Sequence, residues 1–176
     1  MATLKVPVNQ HDHAQGPTDA PVTLVEYGDY ECPHCGRAYP IVKAVQKHFG
    51  KRLRFVFRNF PLSEIHPHAE SAAEVAEAAA AQGKFWEMHD AIFENQTRLG
   101  GPLYVALAQT LHLDMPSFQD ALKAREFRDR VRADFSSGVR SGVNGTPTFF
   151  INGQRHDAPF DFEDLVAAID AAIELS

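Results

Sequence analysis

The first third of the sequence has a strand–helix–strand pattern that sharply limits the folds this chain can adopt. The apolar run 22-VTLVEY-27 predicts a buried strand. An apolar helical stripe follows Cys32 and ends at Gly50, where a glycine can terminate a helix. Basic and apolar residues alternate over 53–58, which predicts a second strand with one wetter face. A β-α-β unit of this kind implies two parallel strands joined by a right-handed crossover.

The rest of the chain separates into a helical block and a second segment that contains strands. Residues 64–140 carry only helical signals, so we interpret 63–140 as a helical insertion. Residues 1–62 and 141–176 then form one α/β domain. The individual predictions are strands at 3–8 and 147–152, a polar, turn-rich stretch at 10–21, helices at 69–82, 84–96, 102–112 and 116–137, a hairpin turn at Asn152-Gly153, and a last helix at about 162–174.

Composition argues against two broad classes of protein. Lys and Arg total 17 and Asp and Glu total 23, which gives a net charge of −6 and no nucleic-acid surface. The sequence has no run of about 18 apolar residues, so we expect no membrane span. The N-terminal MATLKVPVNQHDH lacks the apolar region of a secretory signal. We therefore expect a cytoplasmic protein, with a trimmed signal and a periplasmic location as the alternative.

The two cysteines of the chain, Cys32 and Cys35, lie where the first buried strand gives way to a helix. Pro33 suits the first helical position, which places the Cys32 sulfur beside the free N–H groups and the positive end of the helix. A thiolate is favoured there, and His34 adds an N–H donor and, when protonated, a positive charge. The lowered thiol pKa makes Cys32 an attacking nucleophile, and Cys35, one turn later, would resolve the mixed disulfide.

Two other interpretations of the cysteine pair are weaker. A structural bridge would close a very short loop and stabilise the fold little. A zinc site needs four ligands, and the chain has a single CxxC, with His66 and His68 too close together for the usual spacing. We interpret those two histidines as helix-capping or packing residues rather than substrate contacts. The prediction is redox chemistry with no metal and no cofactor beyond a Cys32–Cys35 disulfide.

With these features the sequence resembles the thioredoxin superfamily, and within it the DsbA-like branch that carries a helical insertion. It most resembles cytoplasmic DsbA-like domains, including those fused to some sodium/proton antiporters. The resemblance implies a thioredoxin-like fold and thiol–disulfide oxidoreductase activity. It rests on five segments: 22-VTLVEYGDYECPHC-35, 56-VFRNFPL-62, 66-HPHA-69, 84-KFWEMHDAIF-93 and 145-GTPTFFINGQ-154.

The resemblance also implies roles for residues outside the CPHC motif. Thr146-Pro147 would form a cis-proline loop that faces the cysteines, and the Thr146 backbone would pair with an extended substrate. Glu26 would be buried behind Cys35 and take its proton, with a solvated strand residue as the alternative. Arg58 is a candidate electrostatic partner for Glu26. The family tolerates a kink at Pro40, inside the active-site helix.

The implied partners are protein or peptide thiols and disulfides, together with a recycling system such as glutathione or another thiol. Oxidation, reduction and isomerisation all stay open. Two alternatives use the same fold. A glutathione-dependent isomerase or transferase often carries serine in place of a CxxC pair, so the two intact cysteines argue against it. A chaperone-type binding module would need a broadly apolar surface near the cis-proline groove.

Overall fold

A five-stranded mixed sheet forms the centre of the protein. The structure, a computed structural model, describes residues 2–176. The strands run in the spatial order β1-β3-β2-β4-β5. β2 and β3 are parallel, and the other three pairs are antiparallel. Their bounds are His13–Gln15 (β1), Val22–Gly28 (β2), Leu53–Asn59 (β3), Thr148–Ile151 (β4) and Gln154–Arg155 (β5).

Seven α-helices surround the sheet in the described part of the chain. The first is the crossover between β2 and β3, five lie between β3 and β4, and the last follows β5. Their bounds are Pro33–Phe49 (α1), Ala69–Ala80 (α2), Phe85–Glu94 (α3), Gly101–Thr110 (α4), Met115–Lys123 (α5), Arg128–Arg140 (α6) and Phe162–Leu175 (α7). The predicted α/β fold with a helical insertion is confirmed, whereas the exact boundaries of the two units stay a prediction.

The prediction for the N-terminal segment was wrong. The strand expected at 3–8 is reduced to a single bridge between Thr3 and Gln154. The first true strand lies at His13–Gln15, inside the stretch interpreted as turns. β1 is a short edge strand that pairs only with β3, and an edge strand can keep polar side chains. Its sequence therefore lacks the apolar pattern by which a buried strand is recognised.

The helix predicted at 116–137 is two helices, α5 and α6. The chain turns at Arg125, which has a φ of 51°, outside the range of a right-handed helix. The Arg125 guanidinium donates hydrogen bonds to Glu70 and Glu74 of α2, at 2.8 Å in each case. This tertiary contact stabilises a break that the local sequence does not signal.

Both faces of the sheet are buried. Leu24, Phe57 and Phe149 belong to the larger core, which includes α1, α2, α3 and α7. Val25 and Phe150 belong to a smaller core on the opposite face, beside α6. The wetter face predicted for β3 was therefore wrong, because helices and the N-terminal segment cover both sides of the strand and Arg58 is only 2% exposed.

Candidate active site

The junction between β2 and α1 carries the CPHC motif. Cys32 is the N-cap residue of α1, with extended backbone angles, and Pro33 occupies the first turn. The carbonyl of Cys32 accepts the first helical bond, from the N–H of Gly36 at 3.0 Å. This geometry leaves the N–H groups of the first turn facing the Cys32 side chain. Pro33 and His34 lie on the surface.

The Cys32 thiol is almost covered, with 4% of the residue exposed. A hydrogen bond from the Cys35 side chain lowers the pKa of Cys32 to about 5, although burial acts in the opposite direction. Hydrogen bonds from the main-chain N–H groups of Cys35 and His34 add to the lowering. The His34 contribution therefore comes from its backbone, whereas the sequence also suggested its ring. The lowered pKa favours the Cys32 thiolate at neutral pH.

Cys35 has the opposite environment, one helical turn further along α1. It is fully buried. Burial raises its thiol pKa well above the usual value, and the hydrogen bond to Cys32 and the charges of Glu26 and Cys32 raise it further. One contact favours the thiolate: the main-chain N–H of Asp29 donates to the Cys35 sulfur at 3.4 Å. Both cysteines are free thiols in this structure.

Glu26 is buried in β2, as the resemblance implied, with 3% of the residue exposed. Burial raises its pKa to about 8, and the charge of Cys32 adds to that effect. The suggested partnership with Arg58 was wrong. Arg58 pairs in register with Tyr27, the neighbour of Glu26, so its side chain points to the opposite face of the sheet. There it donates to Asp12 through two hydrogen bonds of 2.9 Å.

The loop before β4 closes the site on the other side of Cys32. The peptide bond between Thr146 and Pro147 is cis. The carbonyl oxygen of Thr146 lies 3.6 Å from the Cys32 sulfur. The structure thus brings Cys32, Cys35, Glu26 and this loop together, although they are up to about 120 residues apart in the chain.

The sequence analysis missed two polar residues of the site, Gln96 and Asp29, and did not foresee the ion pair of a third, His66. Gln96, in a short 3-10 helix after α3, donates from Nε2 to the carbonyls of Tyr30 and Cys32, at 2.9 and 2.8 Å. Asp29 and His66 form an ion pair of 2.8 Å beside the cysteines. The His66 side chain thus has an ion-pair partner in addition to the expected packing, and His68 is the N-cap residue of α2. All three depend on contacts between distant segments, and a single sequence carries no signal for them.

Two further features of the described residues, 2–176, bear on chemistry and location. They contain no group of three or more His, Cys, Asp or Glu residues arranged to hold a metal ion. None of the helices among them has both the length and the apolar character needed to cross a membrane.

A family model described as thioredoxin matches residues 8–171, nearly the whole chain. The chain belongs to the thioredoxin family. Solved structures that share its fold, including the helical insertion, include DsbA-like proteins. Wolbachia pipientis α-DsbA1 has a TM-score of 0.83 at 20% identity and covers 98% of this chain and 95% of its own. BdbD from Bacillus subtilis in its oxidised form has a TM-score of 0.86 at 24% identity, covering 98% of each chain.

A third structure is more similar in sequence. A thioredoxin-like oxidoreductase from Silicibacter pomeroyi has a TM-score of 0.80 at 26% identity and covers 96% of this chain and 95% of its own. The sequence-based recognition of a thioredoxin-family chain with a DsbA-like fold is confirmed. The order of attack by the two cysteines goes beyond these similarities.

The curated relatives are much longer proteins. The Na(+)/H(+) antiporter NhaA 3 of Salinispora tropica is 45% identical over 170 residues, which is 96% of this chain and 26% of the relative. The antiporter NhaA of Herminiimonas arsenicoxydans is 39% identical over 170 residues, again 96% of this chain and 27% of the relative. This chain therefore spans about a quarter of the length of the curated relatives it matches.

Proposed function

We propose that this chain exchanges thiols and disulfides with protein or peptide substrates, with Cys32 as the nucleophile and Cys35 as the resolving cysteine. The observation that carries the proposal is the contrast between the two sulfurs. Cys32 has a pKa of about 5 and lies at the end of a helix, next to the loop of Thr146. Cys35 is fully buried and its pKa is raised. At neutral pH the lowered pKa favours the Cys32 thiolate, and the raised pKa keeps Cys35 as a thiol.

The exchange proceeds in two displacements. The Cys32 thiolate attacks one sulfur of a substrate disulfide, so that a Cys32–substrate bond forms, the substrate disulfide breaks, and one substrate thiolate leaves. Cys35 then loses its proton and attacks the Cys32 sulfur. The Cys32–Cys35 disulfide forms and the second substrate thiolate leaves. The substrate gains two electrons and the cysteine pair loses two; the reverse sequence oxidises a substrate dithiol.

Glu26 is the proposed acceptor of the Cys35 proton. Its pKa of about 8 lies close to neutral, where a carboxyl group can both release and accept a proton. The Glu26 charge also raises the Cys35 pKa, which indicates that the two groups interact electrostatically. Protonation of Glu26 as Cys35 ionises keeps the buried charge of the pair constant, and that removes the main cost of the second displacement.

Thr146 and Pro147 are the proposed substrate-binding residues. An extended substrate segment that pairs with the main chain of Thr146 would bring its disulfide to the Cys32 sulfur, because the Thr146 carbonyl already lies 3.6 Å from that atom. Substrate recognition through the main chain is compatible with many sequences.

The same pKa bears on the reduction potential of the cysteine pair. A low pKa stabilises the reduced form, because the thiolate has no counterpart in the disulfide, and so raises the reduction potential. A pKa of about 5 falls between those of thioredoxin, about 7, and DsbA, about 3.5. We propose a reduction potential between those of the same two proteins, about −270 mV for thioredoxin and about −120 mV for DsbA. Recycling by glutathione or another thiol system, and a cytoplasmic location, are part of this proposal.

The test is turnover with insulin as substrate and dithiothreitol as reductant. Wild type should accelerate insulin reduction, and Cys32→Ser should abolish the acceleration. Cys35→Ala should instead accumulate mixed disulfides with proteins, which non-reducing electrophoresis and mass spectrometry detect. Full activity of Cys32→Ser would refute the assignment. Recovery of glutathione adducts alone from Cys35→Ala would favour a glutathione-dependent enzyme.

A further inference from the structure

Asp29 is a buried carboxylate beside the two cysteines that takes no part in the exchange steps. Its side chain is 0% exposed. The carboxylate accepts a hydrogen bond from the N–H of Glu31 at 2.8 Å and another from the N–H of Leu62 at 2.9 Å. It therefore ties the β2–α1 junction to the loop that follows β3.

The main chain of Asp29 contacts both cysteines. Its carbonyl accepts a hydrogen bond from the N–H of Cys32 at 3.1 Å. Its N–H donates to the Cys35 sulfur at 3.4 Å. The second contact matters most for exchange, because it is the one that lowers the pKa of Cys35 against four influences that raise it. The position of the Asp29 backbone thus affects how readily Cys35 ionises.

His66 is the ion-pair partner of Asp29, and within residues 2–176 no second cation pairs with that carboxylate. The Nδ1 atom of His66 lies 2.8 Å from the carboxylate, and the His66 side chain is 17% exposed. Burial lowers the pKa of His66, but the hydrogen bond and charge of Asp29, with the charges of Cys32 and Glu31, raise it above its usual value. The imidazolium is favoured, and it supplies the compensating charge for a buried carboxylate whose other partners are two neutral main-chain N–H groups.

We propose that His66 is a positioning residue for the resolving step: through Asp29, it holds the main-chain N–H on the Cys35 sulfur and keeps uncompensated negative charge away from that sulfur. This proposal rests on the exchange mechanism above. Without His66 the Asp29 carboxylate has two effects that act together. Its negative charge opposes ionisation of Cys35, and its need for water pulls the junction away from the sulfur.

The test uses the whole chain in its reduced form and glutathione disulfide as the probe. Rapid acid quenching and mass spectrometry follow the mixed disulfide with glutathione, so its formation by Cys32 and its loss by Cys35 are measured separately. His66→Ala should slow the resolving step about tenfold, since small displacements of a reacting group can cost up to about 100-fold. His66→Asn, which keeps a neutral N–H donor near Nδ1, should slow it less. Attack by Cys32 should change by less than about threefold.

Two further variants separate positioning from general damage to the loop. His68→Asn changes an exposed histidine two residues away and should leave both rates at the wild-type value. Asp29→Asn introduced into His66→Ala removes the uncompensated charge, so it should restore part of the resolving rate. Circular dichroism checks that each variant is folded.

Three results would overturn the proposal while leaving the exchange mechanism intact. The first is a resolving rate in His66→Ala within about twofold of wild type. A change of one unit in the Cys35 pKa would produce a larger difference, of about tenfold. The second is an equal loss in both rates, which would indicate disruption of the whole junction. The third is a double variant slower than His66→Ala. Failure of wild type itself to form or resolve the mixed disulfide would instead contradict the proposed function.

Discussion

Two buried carboxyl groups lie on opposite sides of the same sheet and have opposite titration behaviour. Glu26 faces the cysteines, and burial raises its pKa to about 8. Asp12 lies on the other face with its side chain 6% exposed. Burial also acts to raise the pKa of Asp12, but the hydrogen bonds and charge of Arg58, with a further bond from the N–H of Asn9, lower it overall. The main difference is the cation.

This contrast separates a structural charge from a functional one. Arg58 is 2% exposed, and besides Asp12 it donates to the carbonyls of Val6 and Pro7 and to the Tyr27 hydroxyl, so the N-terminal segment is fastened to β3. Glu26 does not hold two segments of the chain together in this way. Burial disfavours its charged form. A buried carboxyl whose pKa is held near neutral beside a reactive thiol fits proton transfer, whereas a compensated one fits folding.

The largest effect is expected from Arg58→Met. Removing the guanidinium leaves Asp12 buried without its arginine partner and leaves the carbonyls of Val6 and Pro7 without that donor, which should lower the free energy of unfolding by about 3–5 kcal/mol. Urea denaturation measures this change. The rate of insulin reduction per folded molecule should stay at the wild-type value. A variant as stable as wild type would show that the Asp12–Arg58 pair has no structural role.

A smaller effect, on rate rather than stability, is expected from Glu26→Gln. The amide cannot accept the Cys35 proton, so resolution of the mixed disulfide should slow by about 100-fold, the low end for lost general base catalysis. Quenched-flow measurement with glutathione disulfide gives the rate. Glu74→Gln is the matched control, because Glu74 is also buried but is bound by Arg125 in the insertion. Equal rates in the two variants would remove Glu26 from the mechanism.

The smallest effect is the dependence of stability on pH. The folded pKa of Glu26, about 8, exceeds the value of 4.5 for a free carboxyl group, so between these values the folded state keeps a proton that the unfolded state has released. Glu26 therefore costs stability as pH rises through this window. Glu26→Gln should therefore be more stable than wild type at the upper end of this window. The two proteins should converge at low pH, and urea denaturation of the reduced proteins at both ends tests this.

Asp12 should behave in the opposite sense. Its folded pKa is lowered below 3.8, so its contribution is present above that value and is lost as pH falls through the folded pKa. A stability gap between Glu26→Gln and wild type that widened toward low pH would contradict the assignment of Glu26, because Asp12 contributes equally to both proteins.

The sequence predicted the parts of the site that depend on local pattern. The apolar run of β2, Pro33 at the first turn of α1 and the two cysteines place a thiolate at a helix N-terminus without any knowledge of the rest of the chain. The resemblance added the cis-proline loop and the buried position of Glu26. Local pattern and family motif therefore accounted for the redox centre.

Contacts between distant segments accounted for what the sequence did not predict. Arg58 was expected on a wet face, because a single strand does not show that the N-terminal segment covers it. Asp29 and His66 are 37 residues apart, and their pairing depends on how the loop after β3 returns to the junction. The break at Arg125 depends on carboxylates of another helix. In each case a buried charged side chain forms an ion pair with a residue distant in the sequence, and only the tertiary structure shows that pair.

The most direct test of the central claim is a pH titration of the Cys32 thiolate, followed by its ultraviolet absorbance in the reduced protein. Wild type should show one thiolate appearing with a midpoint near pH 5, and Cys32→Ser should lack this transition. Cys35→Ala should keep it at a higher midpoint, because the largest contribution to the lowered pKa is the hydrogen bond from Cys35. A wild-type midpoint near the ordinary value of 9.0, or a low-pH transition that survives in Cys32→Ser, would contradict the assignment of Cys32 as the nucleophile.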